Sequence, residues 1–200
     1  MDGMKAVIFD FDGVLADTFD LNLEVCRVFD PELSVEEFKE HHKFRWEEST
    51  NIDINEDDVE DFKEEQRKRL SGEHLLPVKD VLQELYENYM LFIISSSSQR
   101  NIKELLSHEN LNKYFDEILG PRASTSKTEK IQMILDEHDL EPKQCVLITD
   151  TLGDLKEAEE ANINKIGVTW GFHKESTLEE GDPDIIVQDL NHLSDVVEEI

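Results

Sequence analysis

Two aspartates near the start of the chain, Asp10 and Asp12, lie in the segment Phe9-Asp10-Phe11-Asp12-Gly13-Val14. Two residues apart on extended backbone, their side chains leave the same face. Gly13 lets the chain turn sharply behind them and brings backbone groups close to a ligand. A second acidic pair, Asp150 and Asp154, lies in Ile148-Thr149-Asp150-Thr151-Leu152-Gly153-Asp154. Brought together, these carboxylates repel one another unless a cation joins them. Mg2+, a hard ion that accepts a few carboxylates, waters and a phosphate oxygen, resolves the conflict. Lys127 can neutralise both a carboxylate nucleophile and a phosphoryl group. The hydroxyl of Ser95 can donate to an equatorial phosphate oxygen.

Each of these residues also has a plainer reading. Asp10 and Asp12 could cap or turn a loop. Lys130 competes with Lys127 from one turn further along the same helix. Asp154 could act only on a helix dipole. The run Ser95 to Ser98 could be a strand-to-helix loop in which Ser98 or a neighbour caps the next helix.

What separates the readings is the set of elements that must hold these residues. Ala6-Val7-Ile8-Phe9 is a continuous apolar run ending at Asp10, as expected of a parallel strand buried on both faces. Leu91 to Ile94 ends at Ser95, Cys145 to Ile148 ends at Thr149-Asp150, and Lys165 to Val168 ends at Thr169. A last run, Ile185 to Val187, ends near Asp189. Helical segments lie between them. Ser126 to Glu129 has capping-box spacing ahead of Ile131, Ile134, Leu135 and His138, and Val81, Leu82, Leu85 and Tyr86 form one stripe. Alternating strands and helices predict an α/β fold, a Rossmann-like parallel sheet with helices on both faces. The chemical residues then converge on the carboxyl edge of the sheet, where open α/β sheets bind ligands.

Residues 18–76 contain no strand-like run and predict a helical insertion, leaving 1–17 and 77–200 as the core. Ser34 to Glu37 is a second capping box, opening a helix expected to reach about Ser49. Asn55 is expected to cap another, with Val59, Phe62 and Leu70 as its stripe and Gly72 as its stop. Glu64–Lys68 and Glu65–Arg69 are oriented as i,i+4 pairs on an exposed face. His41, His42, Arg45 and Trp46 read as a mixed helix surface with Phe44 or Trp46 packing inward. Trp170 to Phe172 either lines the site or packs in the core.

The 48 acidic residues against 20 basic ones give a net charge of −28, which argues against a nucleic-acid partner. Most of these carboxylates read as a solvated coat. No window reaches the length needed to span a bilayer, and no export signal is read at the N-terminus. Cys26 and Cys145 lie far apart, which suits buried thiols in a reducing cytoplasm.

With the strand ends and their residues in place, the chain resembles the haloacid dehalogenase-like hydrolases over almost its whole length. Their first motif is similar to Asp10-Phe11-Asp12-Gly13-Val14-Leu15, the second to the strand ending at Ser95, the lysine motif to Lys127 and the acidic motif to Asp150 and Asp154. Gly167-Val168-Thr169-Trp170-Gly171-Phe172 resembles the segment that follows in phosphoglycolate phosphatase-like members, and the insertion resembles their small helical cap. One departure is Thr149, where many members carry glycine. The resemblance implies that Asp10 is the nucleophile and Asp12 the general acid and base. It also implies Mg2+ held by the Asp10 carboxylate, the Asp12 backbone carbonyl and Asp150, with Asp154 assisting, and Ser95 as the phosphate ligand with Ser96 as the second contact. The partner implied is a small phosphorylated metabolite. A phosphomutase using the same phospho-aspartate, and a non-catalytic binding protein on the same fold, are the alternatives. Neither the substrate nor a choice between monomer and homodimer follows from the sequence.

Overall fold

The computed structural model describes residues 3–43, 58–121 and 126–200. Among them the apolar runs become strands β1 (Ala6–Phe9), β2 (Met90–Ile94), β4 (Cys145–Thr149), β5 (Asn164–Val168) and β6 (Ile185–Val187). A further strand, β3 (Glu117–Leu119), was not expected from the sequence. It has three residues and pairs with β2 alone, so its apolar signal is short. All six are parallel, in the order β3-β2-β1-β4-β5-β6.

Alternation along each strand feeds two cores. Val7, Phe9, Leu91, Ile93, Val146 and Ile148 pack on one side against helices α4 (Lys79–Tyr86), α5 (Gln99–Ser107) and α9 (Leu193–Glu199). Ala6, Ile8, Phe92, Ile94 and Leu147 face α6 (Lys127–Glu137) and α7 (Leu152–Glu160) on the other. The central residues of β1, β2 and β4 are fully buried, and each such side chain contributes about 1.5–3 kcal/mol. Helices on both faces explain why these strands read as continuous apolar runs. Cys26 and Cys145 are buried and free, and burial pushes both thiols up to about 12. No helix among the described residues is long and apolar enough to cross a membrane.

The capping boxes at Ser34 and Ser126 form with both reciprocal bonds. Tyr86 departs from its expected stripe: it is 49% exposed, with its ring edge against Tyr114. Helices α1 (Phe19–Phe29), α2 (Val35–His41) and α3 (Asp58–Arg69) precede the second strand. Leu23, Cys26, Leu33 and Phe38 form a small cluster of their own that includes Phe172, which follows β5. The expected Glu64–Lys68 and Glu65–Arg69 pairs are present on α3.

Helix α2 stops at His41, short of the expected Ser49. Its last turn tightens, with the amides of His42 and Lys43 donating to Lys39 and Glu40 carbonyls. The carbonyls of His42 and Lys43 then accept from Gly153 N–H and Lys156 Nζ instead of continuing the helix. His42 is half-buried, and its ring packs edge-on against Phe38 and Phe172. Phe44, Arg45, Trp46, Ser49 and Asn55 lie outside the described residues, as does the side chain of Val59.

Candidate active site

Strands β1 and β4 are neighbours, and the chain order reverses between them, so the topological switch point lies at their carboxyl ends. Asp10 extends the ladder by one bond, its N–H donating to the Ile148 carbonyl at 2.9 Å. That places it beside Asp150, which follows β4. The Asp10 carboxylate is 6% exposed: Oδ1 accepts from Phe11 N–H at 2.7 Å, and Oδ2 lies 2.9 Å from Lys127 Nζ. Lys127 reaches Asp154 Oδ2 as well, at 2.5 Å. Thr149, the departure noted in the sequence, donates its hydroxyl to the same Asp154 oxygen at 2.7 Å.

Electrostatics follow from this crowding. Burial raises the Asp10 pKa well above the ordinary carboxylate value; Lys127 opposes the shift, and Asp154, Asp150 and Asp12 add to it. Burial also raises Asp150, to about 7, although the Phe172 N–H on its carboxylate opposes this. Asp154 goes the other way, because Lys127 and the Thr149 hydroxyl outweigh burial and hold it low. For Lys127 burial disfavours the charge, but Asp10 and Asp154 overcome it and hold the ammonium above its usual range.

Asp150 is fully buried in a slot between two glycines. A Cβ at Gly13, which has φ +76°, or at Gly171 would fall on its carboxylate. Its Oδ2 accepts from Phe172 N–H at 2.6 Å, while Oδ1 is buried with no hydrogen-bond partner. An orphaned carboxylate oxygen is costly unless a cation or water satisfies it. No group of three or more His, Cys, Asp or Glu with metal-site geometry occurs among the described residues. Mg2+ needs only one or two carboxylates, completed by other oxygens and water, so the residues present fit that ion.

Asp12 is gripped at both oxygens. Oδ1 accepts from Thr18 Oγ1 at 2.7 Å and Asn22 Nδ2 at 3.2 Å; Oδ2 accepts from Ser97 Oγ at 2.6 Å and Ser95 Oγ at 3.3 Å. Ser95 is fully buried, and its carbonyl accepts from Lys130 Nζ at 2.8 Å. The two lysines are thus divided: Lys127 on Asp10, Lys130 on the serine loop. Ser96 is exposed, and Ser98 begins α5 without a side-chain cap bond.

These features now meet their relatives. The model for "Haloacid dehalogenase-like hydrolase" matches residues 7–168. The chain belongs to that family. A phosphoglycolate phosphatase of Vibrio vulnificus is 24% identical over 143 residues, which are 69% of this chain and 62% of that protein. The chain therefore spans less than two thirds of the length of such relatives. Another phosphoglycolate phosphatase, from Synechococcus elongatus, is 23% identical over 211 residues, covering 98% of this chain and 99% of its own. A solved haloacid dehalogenase-like family hydrolase from Streptococcus pneumoniae has the same fold, with a TM-score of 0.77 and 23% identity over 98% of this chain and 99% of that one.

In this haloacid dehalogenase-like hydrolase, Ser97 and Gln66 have no part in the sequence expectations, and Phe172 was expected only as a residue that lines the site or packs in the core. Ser97 rather than Ser96 reaches Asp12, and only the path of the backbone within four like residues decides that. Phe172 holds Asp150 by its backbone N–H, so its side-chain type carries no signal of that contact. Gln66, on α3, is 3% exposed and joins the hydrogen bonds around Asp12. Trp170 packs against the core and donates Nε1–H to the Val14 carbonyl at 3.2 Å.

Proposed function

We propose that this chain is a phosphatase that hydrolyses a small phosphate monoester through an aspartyl-phosphate on Asp10. The observation that carries the reading is the buried Asp10 carboxylate, 2.9 Å from Lys127 Nζ at the switch point of a parallel sheet. Oδ1 accepts from Phe11 N–H and Oδ2 pairs with Lys127, and in this reading Oδ2 is the oxygen that attacks phosphorus. Attack there breaks the bond from phosphorus to the ester oxygen and forms the acyl phosphate. Asp12 gives the departing alkoxide a proton, then takes one from the water that cleaves the intermediate. Lys127 offsets charge on the transferred group, and Ser95 belongs to the loop facing its oxygens, with Ser96 beside it. Mg2+ would be held by the Asp10 carboxylate, the Asp12 backbone carbonyl and Asp150, with Asp154 beside them, and supplies charge stabilisation in phosphoryl transfer.

Residues 18–76 act in this proposal as a helical cap that sets substrate choice. Their apolar cluster ends on Phe172, next to Asp150, which supports a cap seated over the same edge. The name shared by the curated relatives makes phosphoglycolate the first metabolite to test.

Purified protein is expected to release phosphate from 4-nitrophenyl phosphate and from members of a metabolite phosphate panel when Mg2+ is present, and to stop when EDTA removes it. No turnover on any of these would overturn the reading. Interconversion of sugar phosphates without phosphate release, assayed in parallel, would replace it with a phosphomutase.

A further inference from the structure

Gln66 is an uncharged side chain in a strongly charged helix, between Glu64-Glu65 and Arg67-Lys68, yet it is 3% exposed. Its amide makes three side-chain hydrogen bonds. Nε2 donates to Asn22 Oδ1 at 2.8 Å and to Ser97 Oγ at 3.1 Å, and Oε1 accepts from Asn101 Nδ2 at 3.1 Å. Asn101, also 3% exposed, donates to the Lys63 carbonyl as well.

Donor and acceptor counting gives this network one polarity. Asn101 donates to Gln66 Oε1, so Nε2 must face the site. One Nε2 hydrogen engages Asn22 Oδ1, which turns the Asn22 amide nitrogen toward Asp12 Oδ1. The other fills a lone pair on Ser97 Oγ, which leaves the Ser97 proton for Asp12 Oδ2. Two of the four donors on Asp12, Asn22 Nδ2 and Ser97 Oγ, are therefore aimed at it by one amide that does not touch Asp12 itself. We infer that Gln66 is a positioning residue, fixing the general acid through Ser97 and Asn22. The inference rests on the phosphatase reading and assigns to α3 a part in the chemistry of that site.

A mispositioned acid slows departure of a basic leaving group more than that of a good one, and a general loss of packing slows both alike. The test compares kcat/KM for phenyl phosphate and 4-nitrophenyl phosphate, esters of similar size whose leaving groups differ in basicity. Gln66→Met keeps the length and removes every hydrogen bond. Gln66→Glu keeps the shape and presents an acceptor where Ser97 and Asn22 need a donor. Both variants are expected to lose about tenfold or more on phenyl phosphate, part of what a general acid supplies, and threefold at most on 4-nitrophenyl phosphate. Ser97→Ala should show the same bias, and adding Gln66→Met to it should cost less than Gln66→Met costs alone.

Equal losses on the two esters, or full additivity with Ser97→Ala, would overturn the inference and leave the phosphatase reading standing. If Gln66→Met does not fold, the Gln66→Glu and Ser97→Ala ratios decide the matter. A wild type inactive on both esters would overturn the reading beneath the inference, and the inference with it.

Discussion

The carboxyl edge of the sheet and the inserted helices bear on the same few atoms but are built differently. At the edge, the positions of Asp10 and Asp150 are set by strands β1 and β4, whose central side chains are wholly buried and whose backbones are paired on both sides. The inserted helices have, among the described residues, a small cluster around Phe38, and meet the edge through Phe172 and through individual polar contacts, such as Gly153 N–H to the His42 carbonyl and Gln66 to Ser97. Placing the Asp10 and Asp150 carboxylates is thus the work of the sheet interior, whereas the surroundings of Asp12 are shaped in part by the inserted helices.

The largest effect expected is at the edge. Asp10→Asn should cut turnover by roughly a thousandfold or more, as removal of a covalent nucleophile does elsewhere, without lowering Tm. Turnover near the wild-type rate would take the nucleophile's role from Asp10. Next is Gly171→Ala, whose new Cβ collides with Asp150. Overpacking of that kind costs about 1–3 kcal/mol. It should also abolish the rise in Tm expected of the wild type on adding Mg2+, and a rise preserved in the variant would show that Asp150 is not held by the glycine slot.

Phe38→Ala probes the other region. Loss of a buried phenylalanine costs about 3 kcal/mol or more. If the attachment is the weaker unit, the damage should appear as faster amide exchange in α1 and α2, with β1 and β4 still protected. Uniform loss of protection would mean that the two regions unfold as one.

The smallest effect concerns Lys130. Burial, helped by Lys127, pulls its pKa down to about 8. Between that value and the ordinary lysine pKa of about 10.4 the unfolded chain holds the proton and the folded chain does not, so this group's contribution to stability rises with pH across that window. Lys130→Met removes the rise. Its stability relative to wild type should be most favourable below pH 8, by the group's own lower limit, and should decline toward about pH 10. Parallel melting curves for the two proteins across that range would show that Lys130 is not perturbed.

How far the sequence could be read follows the same division. Strands covered on both faces announce themselves as apolar runs, and the residues just past β1, β2 and β4 were legible as a group for that reason. Strand β3 was not, because an edge strand of three residues beginning with Glu117 has too few buried positions to mark it. The end of α2 was hidden because its stop comes from core donors, Gly153 N–H and Lys156 Nζ, which are remote in sequence. Gln66 was hidden because one amide among charges looks like solvent-facing surface until the fold buries it.

The short ladder between the two stems of the insertion has a consequence of another kind. Asp17 N–H donates to the His74 carbonyl, and Leu76 N–H to the Leu15 carbonyl, so the chain leaves and re-enters the core side by side. The gap that the core must bridge is therefore a single pair of neighbouring strands, whatever chain hangs between them. Loop closure costs grow only slowly with length, so one attachment could be exchanged for a longer or shorter one with little penalty to the sheet. The molecule is in this sense a socket, whose fitting enters and leaves through one narrow place in the chain.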